Sequence, residues 1–114
     1  MHELSVIESI LEISLRHAKT ANAKRITNLY LVIGQLASIV DDSVQFYWDI
    51  ISKDTIANGA TLHFKRLPAT LACRECNHQY NPGKDGFSCP ICKSEHIKVI
   101  SGEEFYMEAI DVET

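Results

Sequence analysis

The four cysteines are the residues whose type and spacing indicate chemistry most directly. They form the pattern C-x2-C-x12-C-x2-C at Cys73, Cys76, Cys89 and Cys92, and no other position of the sequence is cysteine. Each C-x-x-C turn can direct two thiolates at one point, and the linker is long enough to bring the turns face to face. Four thiolates at about 2.3 Å make a closed tetrahedral Zn²⁺ site, which is structural because no position remains for a substrate. The spacing therefore predicts a structural zinc ion held by all four cysteines.

Other interpretations of this cysteine pattern are less favoured. The C-P-I-C turn also resembles one half of a rubredoxin-like iron site, but such turns usually carry glycine after the second cysteine, where Asn77 and Lys93 stand here. Four free thiols are disfavoured because clustered cysteines in a reducing compartment usually hold metal. His78 and His96 flank the two turns. We interpret them as exposed loop histidines, with metal binding or pH sensing as the alternative.

The first three residues, Met1, His2 and Glu3, form a second candidate metal site. The α-amine of Met1, the backbone nitrogen of His2 and the imidazole Nδ1 can close a five-membered and a six-membered chelate ring once the amide is deprotonated. Three nitrogens at the corners of a square suit Ni²⁺ or Cu²⁺ and do not suit Zn²⁺. The Glu3 side chain, another backbone nitrogen or water could complete the square. A histidine beside the initiator methionine is usually accidental, so this interpretation depends on the rest of the chain.

Composition restricts the class of protein. The chain has 114 residues, of which 46% are hydrophobic and 23% charged, as expected for a compact domain and not for a disordered chain. The net charge of −4 disfavours nucleic acid as the main partner, because duplex binding normally needs a concentrated basic surface. No apolar run approaches the roughly 20 residues that cross a bilayer, and no signal peptide is recognisable. We therefore expect a cytoplasmic protein without a membrane partner.

Hydrophobic periodicity predicts two helices. Apolar residues at helical spacing predict an amphipathic helix over residues 3–21. An S-x-x-E capping box would start it at Ser5, and a start at Glu3 is the alternative. A second helix is predicted over residues 41–55, with Asp41 or Asp42 available as its N-cap.

The remaining segments predict a small sheet and an inserted module. Strands are predicted at residues 25–34, 61–67 and 105–112. We expect an α+β fold with two helices on one face of this three-stranded sheet and an inserted four-cysteine zinc-ribbon module. The predicted domains are residues 1–68 plus 101–114 for the α+β part and residues 69–100 for the zinc-binding part. The module is too poor in apolar residues to fold without a metal.

The order of these features resembles that of the HypA/HybF family. The chain begins Met1-His2-Glu3, continues with an amphipathic helix, ends its first predicted strand at Ile33-Gly34 and carries the four cysteines. Members of that family are nickel metallochaperones for the maturation of [NiFe]-hydrogenase. The resemblance covers essentially the whole chain, and it gives the amino-terminal site the context that spacing alone lacks.

The resemblance implies a cytosolic metal carrier and not an enzyme. It implies that His2 is the essential nickel ligand and that Glu3 supports nickel binding or partner contact, while the four cysteines hold zinc. The implied partners are a HypB-type GTPase, the [NiFe]-hydrogenase large subunit and, in some bacteria, urease and its accessory proteins. An acidic residue after the first strand lies near nickel in some relatives, and both Asp41 and Asp42 are candidates for that position.

A different class of function is also compatible with the cysteines. A zinc-ribbon module can bind protein or nucleic acid without any role in nickel delivery, although the acidic balance disfavours nucleic acid. Catalysis is disfavoured because the sequence contains no nucleophile elbow, no phosphate-binding loop and no convincing pair of carboxylates.

Overall fold

The computed structural model describes residues 3–83 and 86–114, in two compact units. The first unit comprises the chain up to Val32 together with Ser38–Lys65 and Tyr106–Thr114. The second unit comprises Ile33–Ala37 and Arg66–Phe105, and so includes all four cysteines. The elements in chain order are α1 (Glu3–Thr20), β1 (Arg25–Gly34), α2 (Asp41–Ile51), β2 (Thr61–Leu67), β3 (Thr70–Cys73), β4 (Gln79–Tyr80), β5 (Ile97–Ser101) and β6 (Phe105–Glu113).

The first sheet has the strand order β2-β1-β6. The last strand therefore returns to the sheet that begins before the inserted segment, as the sequence predicted. It pairs beside the first strand, a strand order that the sequence left open. The bounds of β1 and β2 agree with the predicted strands, and β6 extends one residue further, to Glu113. Strand β1 is a run rich in β-branched and aliphatic residues, and β2 alternates between apolar and polar residues, so each carries a pattern typical of strands.

Helix α1 includes Glu3 and Leu4, so the earlier of the two predicted starts is confirmed and the capping-box start at Ser5 is wrong. One polar residue lies on its buried face. The hydroxyl of Ser14 donates to the backbone carbonyl of Ile10 at 2.7 Å and lies 3.0 Å from the sulfur of Met107 on β6. The hydroxyl is therefore satisfied inside the core. The buried residues of the helix are Ile7, Ile10, Leu11, Ser14 and Ala18.

Helix α2 begins at Asp41, but neither of its first two aspartates caps it. Val40 is the N-cap residue, with an extended backbone and no side-chain capping bond. Its carbonyl accepts the N–H groups of Ser43 and Val44 at 3.1 and 3.2 Å. The prediction that Asp41 or Asp42 is the N-cap is therefore wrong. Both aspartates lie in the first turn, where their negative charge interacts favourably with the positive end of the helix dipole.

Helix α2 ends at Ile51, earlier than the sequence predicted. The hydroxyl of Ser52 donates to the carbonyl of Trp48 at 2.6 Å, and the backbone N–H of Ser52 donates to the same carbonyl at 2.9 Å. Val44 and Trp48, each 1% exposed, form the buried side of the helix. In the described part of the chain, neither helix is long and apolar enough to cross a membrane.

The second unit contains a sheet with the order β4-β3-β5, for which the sequence analysis predicted no strands. Strand β3 pairs antiparallel with both neighbours, so that Leu71 lies opposite Tyr80 on one side and Val99 on the other. Leu71 is fully buried. The strand ends at Cys73, which lies opposite Ile97. The sheet therefore fixes the position of the first cysteine.

Candidate metal centre

The four cysteines converge on one point, as predicted. Their sulfur atoms all lie within 4.8 Å of one another. The Sγ atoms of Cys73 and Cys92 are 3.5 Å apart, and those of Cys76 and Cys89 are 3.6 Å apart. Sulfur atoms at about 2.3 Å from a tetrahedral Zn²⁺ are separated by about 3.8 Å. The residues present therefore fit a tetrahedral metal ion of this size.

Two turns of nearly identical geometry position the sulfurs. The N–H of Asn77 donates to the carbonyl of Cys73, and the N–H of Lys93 donates to the carbonyl of Cys89, both at 2.9 Å. Inside each turn a second N–H, from Glu75 or from Ile91, points at the sulfur of the first cysteine at 3.4 Å. These N–H groups stabilise negative charge on the sulfur atoms.

The residue after each C-x-x-C has a left-handed backbone. The φ angles of Asn77 and Lys93 are +62° and +64°, a conformation that glycine adopts at the lowest cost. In the sequence, the absence of glycine at these two positions disfavours iron. Because both residues adopt the glycine-like conformation anyway, that argument does not distinguish zinc from iron.

Each C-x-x-C turn has one buried and one exposed sulfur ligand. Cys73 and Cys89 are buried, whereas Cys76 and Cys92 are exposed. Burial opposes ionisation of Cys89, but the backbone N–H of Cys92 and further donors outweigh it and lower the pKa of this thiol to about 7. The N–H of Ser94 favours the Cys92 thiolate, but hydrogen bonds with the sulfurs of the other three cysteines and burial together outweigh it and raise the pKa of Cys92 to about 12. A metal ion must therefore displace protons from this cluster when it binds at neutral pH.

The flanking histidines are not members of the thiolate group. His78 stacks on Tyr80, with ring centroids 5.9 Å apart. His96 places Nδ1 3.0 Å from a carboxylate oxygen of Glu75, and both side chains are largely exposed. Among the described residues, the group that can hold a metal consists of the four cysteines without either histidine.

The predicted nickel site falls mainly outside the described residues, since Met1 and His2 are not among them. Glu3 is half-buried in the first turn of α1. Asp41 and Asp42 lie in the first turn of α2, which packs against α1 in the same unit. The structure thus describes Glu3 and both candidate aspartates at the beginnings of the two helices.

A polar cluster on the first sheet was not predicted. The hydroxyl of Tyr30 donates to Oδ2 of Asp111 at 2.7 Å, and Asn28 donates to the same oxygen at 3.1 Å. His63 Nε2 lies 2.8 Å from Oδ1 of Asn28, and its ring stacks on Tyr30 at 4.7 Å. These residues come from three strands. The alternation of polar residues along each strand was visible in the sequence, but bringing them together required the strand order β2-β1-β6.

Within residues 3–83 and 86–114, two helices, two three-stranded sheets and four convergent cysteines define a small α+β protein with a group that can hold a metal ion. The chain belongs to the HypA family, since the family model described as "Hydrogenase/urease nickel incorporation, metallochaperone, hypA" matches residues 1–112. This is a family of metallochaperones and not of catalytic enzymes. The resemblance that the sequence analysis identified is thereby confirmed.

Curated relatives agree over nearly the full length. The chain is 44% identical to the hydrogenase maturation factor HypA of Dehalococcoides mccartyi (strain ATCC BAA-2266), over 99% of this chain and 95% of the relative. It is 34% identical to the hydrogenase maturation factor HybF of Escherichia coli K12, over 99% of this chain and 100% of the relative.

Solved structures share the fold. The solution structure of the Ni metallochaperone HypA from Helicobacter pylori aligns with a TM-score of 0.69 and 22% identity, covering 99% of this chain and 98% of that one. A second solution structure, of "HypA protein", aligns with a TM-score of 0.73 and 22% identity, covering 98% of this chain and 96% of that one. The predicted α+β fold with a four-cysteine module is therefore confirmed.

Proposed function

We propose that this chain is a cytoplasmic nickel metallochaperone that binds one Ni²⁺ at its amino terminus and delivers it for the maturation of [NiFe]-hydrogenase. The observation that carries this proposal is the match of residues 1–112 to the nickel-incorporation family, in a chain that begins Met1-His2-Glu3. Delivery to urease is a further route, because the family model names both enzymes.

The chemistry of the first three residues supports the nickel assignment. Once the His2 amide is deprotonated, the Met1 amine, the His2 backbone nitrogen and the His2 imidazole can chelate one ion at three corners of a square, an arrangement that suits Ni²⁺. Glu3 lies in the first turn of α1 and is half-buried. Its side chain is therefore attached to an ordered helix. Copper binds such nitrogen sites more tightly than nickel, so selection depends on geometry and on which metal the cell supplies.

A carrier must also release its cargo to a partner. We propose that release occurs in a complex with a HypB-type GTPase and the hydrogenase large subunit. In this proposal the nickel site belongs to the domain of residues 1–68 plus 101–114, and residues 69–100 form the zinc-binding domain.

For the four-thiolate centre we propose Zn²⁺ in a structural role. The separations of 3.5 and 3.6 Å between pairs of sulfurs match a tetrahedral thiolate site, and four protein ligands leave no open coordination position. A zinc-loaded protein is colourless, whereas a ferric four-thiolate centre is red. Elemental analysis and the absorption spectrum of the purified protein therefore distinguish the two metals.

Nickel titration of the untagged protein tests the amino-terminal site. Zinc-loaded native protein, His2→Ala, a form with extra residues ahead of Met1, and the control His17→Ala are compared by calorimetry and X-ray absorption. His17 is an exposed histidine near the end of α1 and offers a matched control. We expect one tight planar nitrogen-bound Ni²⁺ in the native and His17→Ala proteins, and its loss in the other two. Equally tight binding of one Ni²⁺ by all four proteins would contradict the proposal.

A further inference from the structure

Helix α2 exposes two large apolar side chains one turn apart. Phe46 is 61% exposed and Ile50 is 58% exposed, and Val40 at the N-cap is 56% exposed. The i, i+4 spacing of Phe46 and Ile50 places them on one face of the helix. The opposite face, with Val44 and Trp48, is buried. The helix is therefore apolar on both sides, beyond what packing within its own unit requires.

Acidic residues border the exposed apolar pair. Asp42 precedes Phe46 by one turn and Asp49 follows it by three residues, so both lie along the same stripe, and both are exposed. Asp49 accepts a hydrogen bond from Gln45 at 2.9 Å, a bond that leaves its charge in place. We call Asp42, Phe46, Asp49 and Ile50 the α2 face.

The net charge of the helix α2 segment indicates which kind of partner could bind the α2 face. Residues 41–54 contain four aspartates and a single cation, Lys53. A second copy of the chain would bring the same acidic border against itself, and like charges in close contact are unfavourable. A surface that carries lysine or arginine around an apolar centre would instead match the α2 face in both respects.

We propose that the α2 face is a docking surface for a partner protein that presents apolar side chains flanked by lysine or arginine. The inference rests on the proposed function to the extent that a delivery protein must contact its recipient or an accessory protein. Phe46 and Ile50 supply the apolar centre of the contact. Asp42 and Asp49 orient the partner and accelerate its approach.

The polar cluster on the first sheet differs from the α2 face, because it needs no docking partner to satisfy its side chains. This cluster of Tyr30, Asn28, His63 and Asp111 forms hydrogen bonds within itself. Those polar groups are satisfied without a partner, whereas the Phe46 and Ile50 side chains leave apolar area in water. Covering apolar area is favourable by about 25 cal/mol per Å², so a partner gains more by covering Phe46 and Ile50 than by covering this polar cluster.

Synthetic peptides of defined chemistry test the assignment. The probes are an 18-residue amphipathic helix of leucine and lysine and the same helix with glutamate in place of lysine. Each is titrated into ¹⁵N-labelled, zinc-loaded full-length protein while amide shifts are followed by NMR. The variants are the double substitution Phe46→Ser with Ile50→Ser, the charge reversal Asp42→Lys with Asp49→Lys, and the control Ile13→Ser. Ile13 is 39% exposed on α1 and is a matched apolar control.

We expect the lysine peptide to bind the native protein and to shift amides of residues 40–53, and the glutamate peptide to bind at least tenfold more weakly. The double serine variant should lose about tenfold in affinity, equivalent to about 1.4 kcal/mol, while Ile13→Ser should match the native protein. The charge reversal should prefer the glutamate peptide. Added salt should weaken lysine-peptide binding.

Several results would overturn the proposal. Equal affinity of the lysine peptide for the native and double serine proteins, or shifts concentrated outside residues 40–53, would show that the α2 face does not bind it. A native dimer in sedimentation experiments that the double serine substitution abolishes would assign the face to a second copy. Nickel binding measured on the same samples is independent of these outcomes, so failure of the docking proposal and failure of the proposed function are distinguishable.

Discussion

Gly34 lies so close to the backbone of Gly102 that it cannot carry a side chain, and Ala69 excludes one from Gly102. A Cβ built on Gly34 would lie 2.1 Å from the carbonyl oxygen of Gly102, and one built on Gly102 would lie 2.6 Å from the Cβ of Ala69. The N–H of Leu36 donates to the Gly102 carbonyl at 2.7 Å. This contact joins the end of β1 to the segment before β6, two stretches of the second unit that are far apart in sequence.

Gly34→Ala should therefore destabilise the protein by about 3 kcal/mol, because the added methyl group meets backbone atoms that cannot move aside as a flexible side chain would. Urea denaturation of the zinc-loaded protein measures this change. The control is Gly83→Ala, since a Cβ at Gly83 meets no atom within 4 Å. We expect the control to change stability by no more than about 0.5 kcal/mol, and equal losses in the two variants would contradict the predicted contact.

Ionisation of Tyr30 should depend on Asp111. The hydrogen bond to the Asp111 carboxylate is the main cause that raises the pKa of Tyr30 above its ordinary value. Asp111→Asn removes the charge and should return the pKa of Tyr30 toward that value. NMR of the tyrosine ring carbons measures this shift, and Tyr47 serves as an internal reference in the same spectra.

The sign of the accompanying stability change follows from the raised pKa of Tyr30. A group whose pKa is higher in the folded state contributes stability below its unfolded pKa, near 10, and loses that contribution as pH rises through the folded pKa. Alkaline unfolding should therefore depend less on pH in Asp111→Asn than in the native protein above about pH 10. An unchanged pH dependence would show that the bond does not persist in solution.

The features that depend on residues close together in the sequence were predicted correctly. The bounds of β1 follow from a continuous run of β-branched and aliphatic residues that ends at Gly34, and the metal centre follows from fixed cysteine spacing. The predictions failed for features that depend on contacts between residues far apart in the sequence. Strands β3 and β5 are four and five residues long, too short for a periodic pattern, and antiparallel pairing with each other holds them in place.

Helix ends and side-chain clusters show the same limit. Asp41 and Asp42 are good N-cap residues by type, yet Val40, with an extended backbone and no side-chain capping bond, is the N-cap residue. The cluster of Tyr30, His63 and Asp111 depends on which strands are neighbours, and residue types alone do not determine strand order. The close contact between Gly34 and Gly102 has the same origin.

Substitutions of Lys93, the left-handed residue after the second C-x-x-C, test the backbone conformation of that turn. At Lys93, with φ of +64°, Lys93→Gly should be neutral or stabilising by up to about 1 kcal/mol, whereas Lys93→Val should destabilise by about 2 kcal/mol. The matched control is Lys98→Val on β5, where an exposed strand position favours a β-branched residue. Zinc-loaded samples are compared by urea denaturation, and a Lys93→Val protein as stable as Lys98→Val would rule out the left-handed conformation.

The four thiolates should not contribute equally to metal retention. Cys73 and Cys89 are buried, so a serine at either site would place a poor ligand where water cannot reach the ion. Cys76 and Cys92 are exposed, so at those sites water can complete the tetrahedron after substitution with serine. Cys89→Ser should therefore lose more zinc affinity than Cys92→Ser, and Cys73→Ser more than Cys76→Ser.

Competition with a zinc chelator of known affinity measures this order. Because structural zinc supplies roughly 10–16 kcal/mol of folding free energy in small modules, the Cys73→Ser and Cys89→Ser proteins should also lose the NMR signals of folded β3 and β5. The first unit has its own core, built on α1, α2 and β1, and should keep its dispersed signals. Serine substitution of the exposed cysteines could instead cost more zinc affinity in both turns. Water would then not be completing the coordination at the exposed sites. A neighbouring side chain would have to replace the lost thiolate at the buried sites.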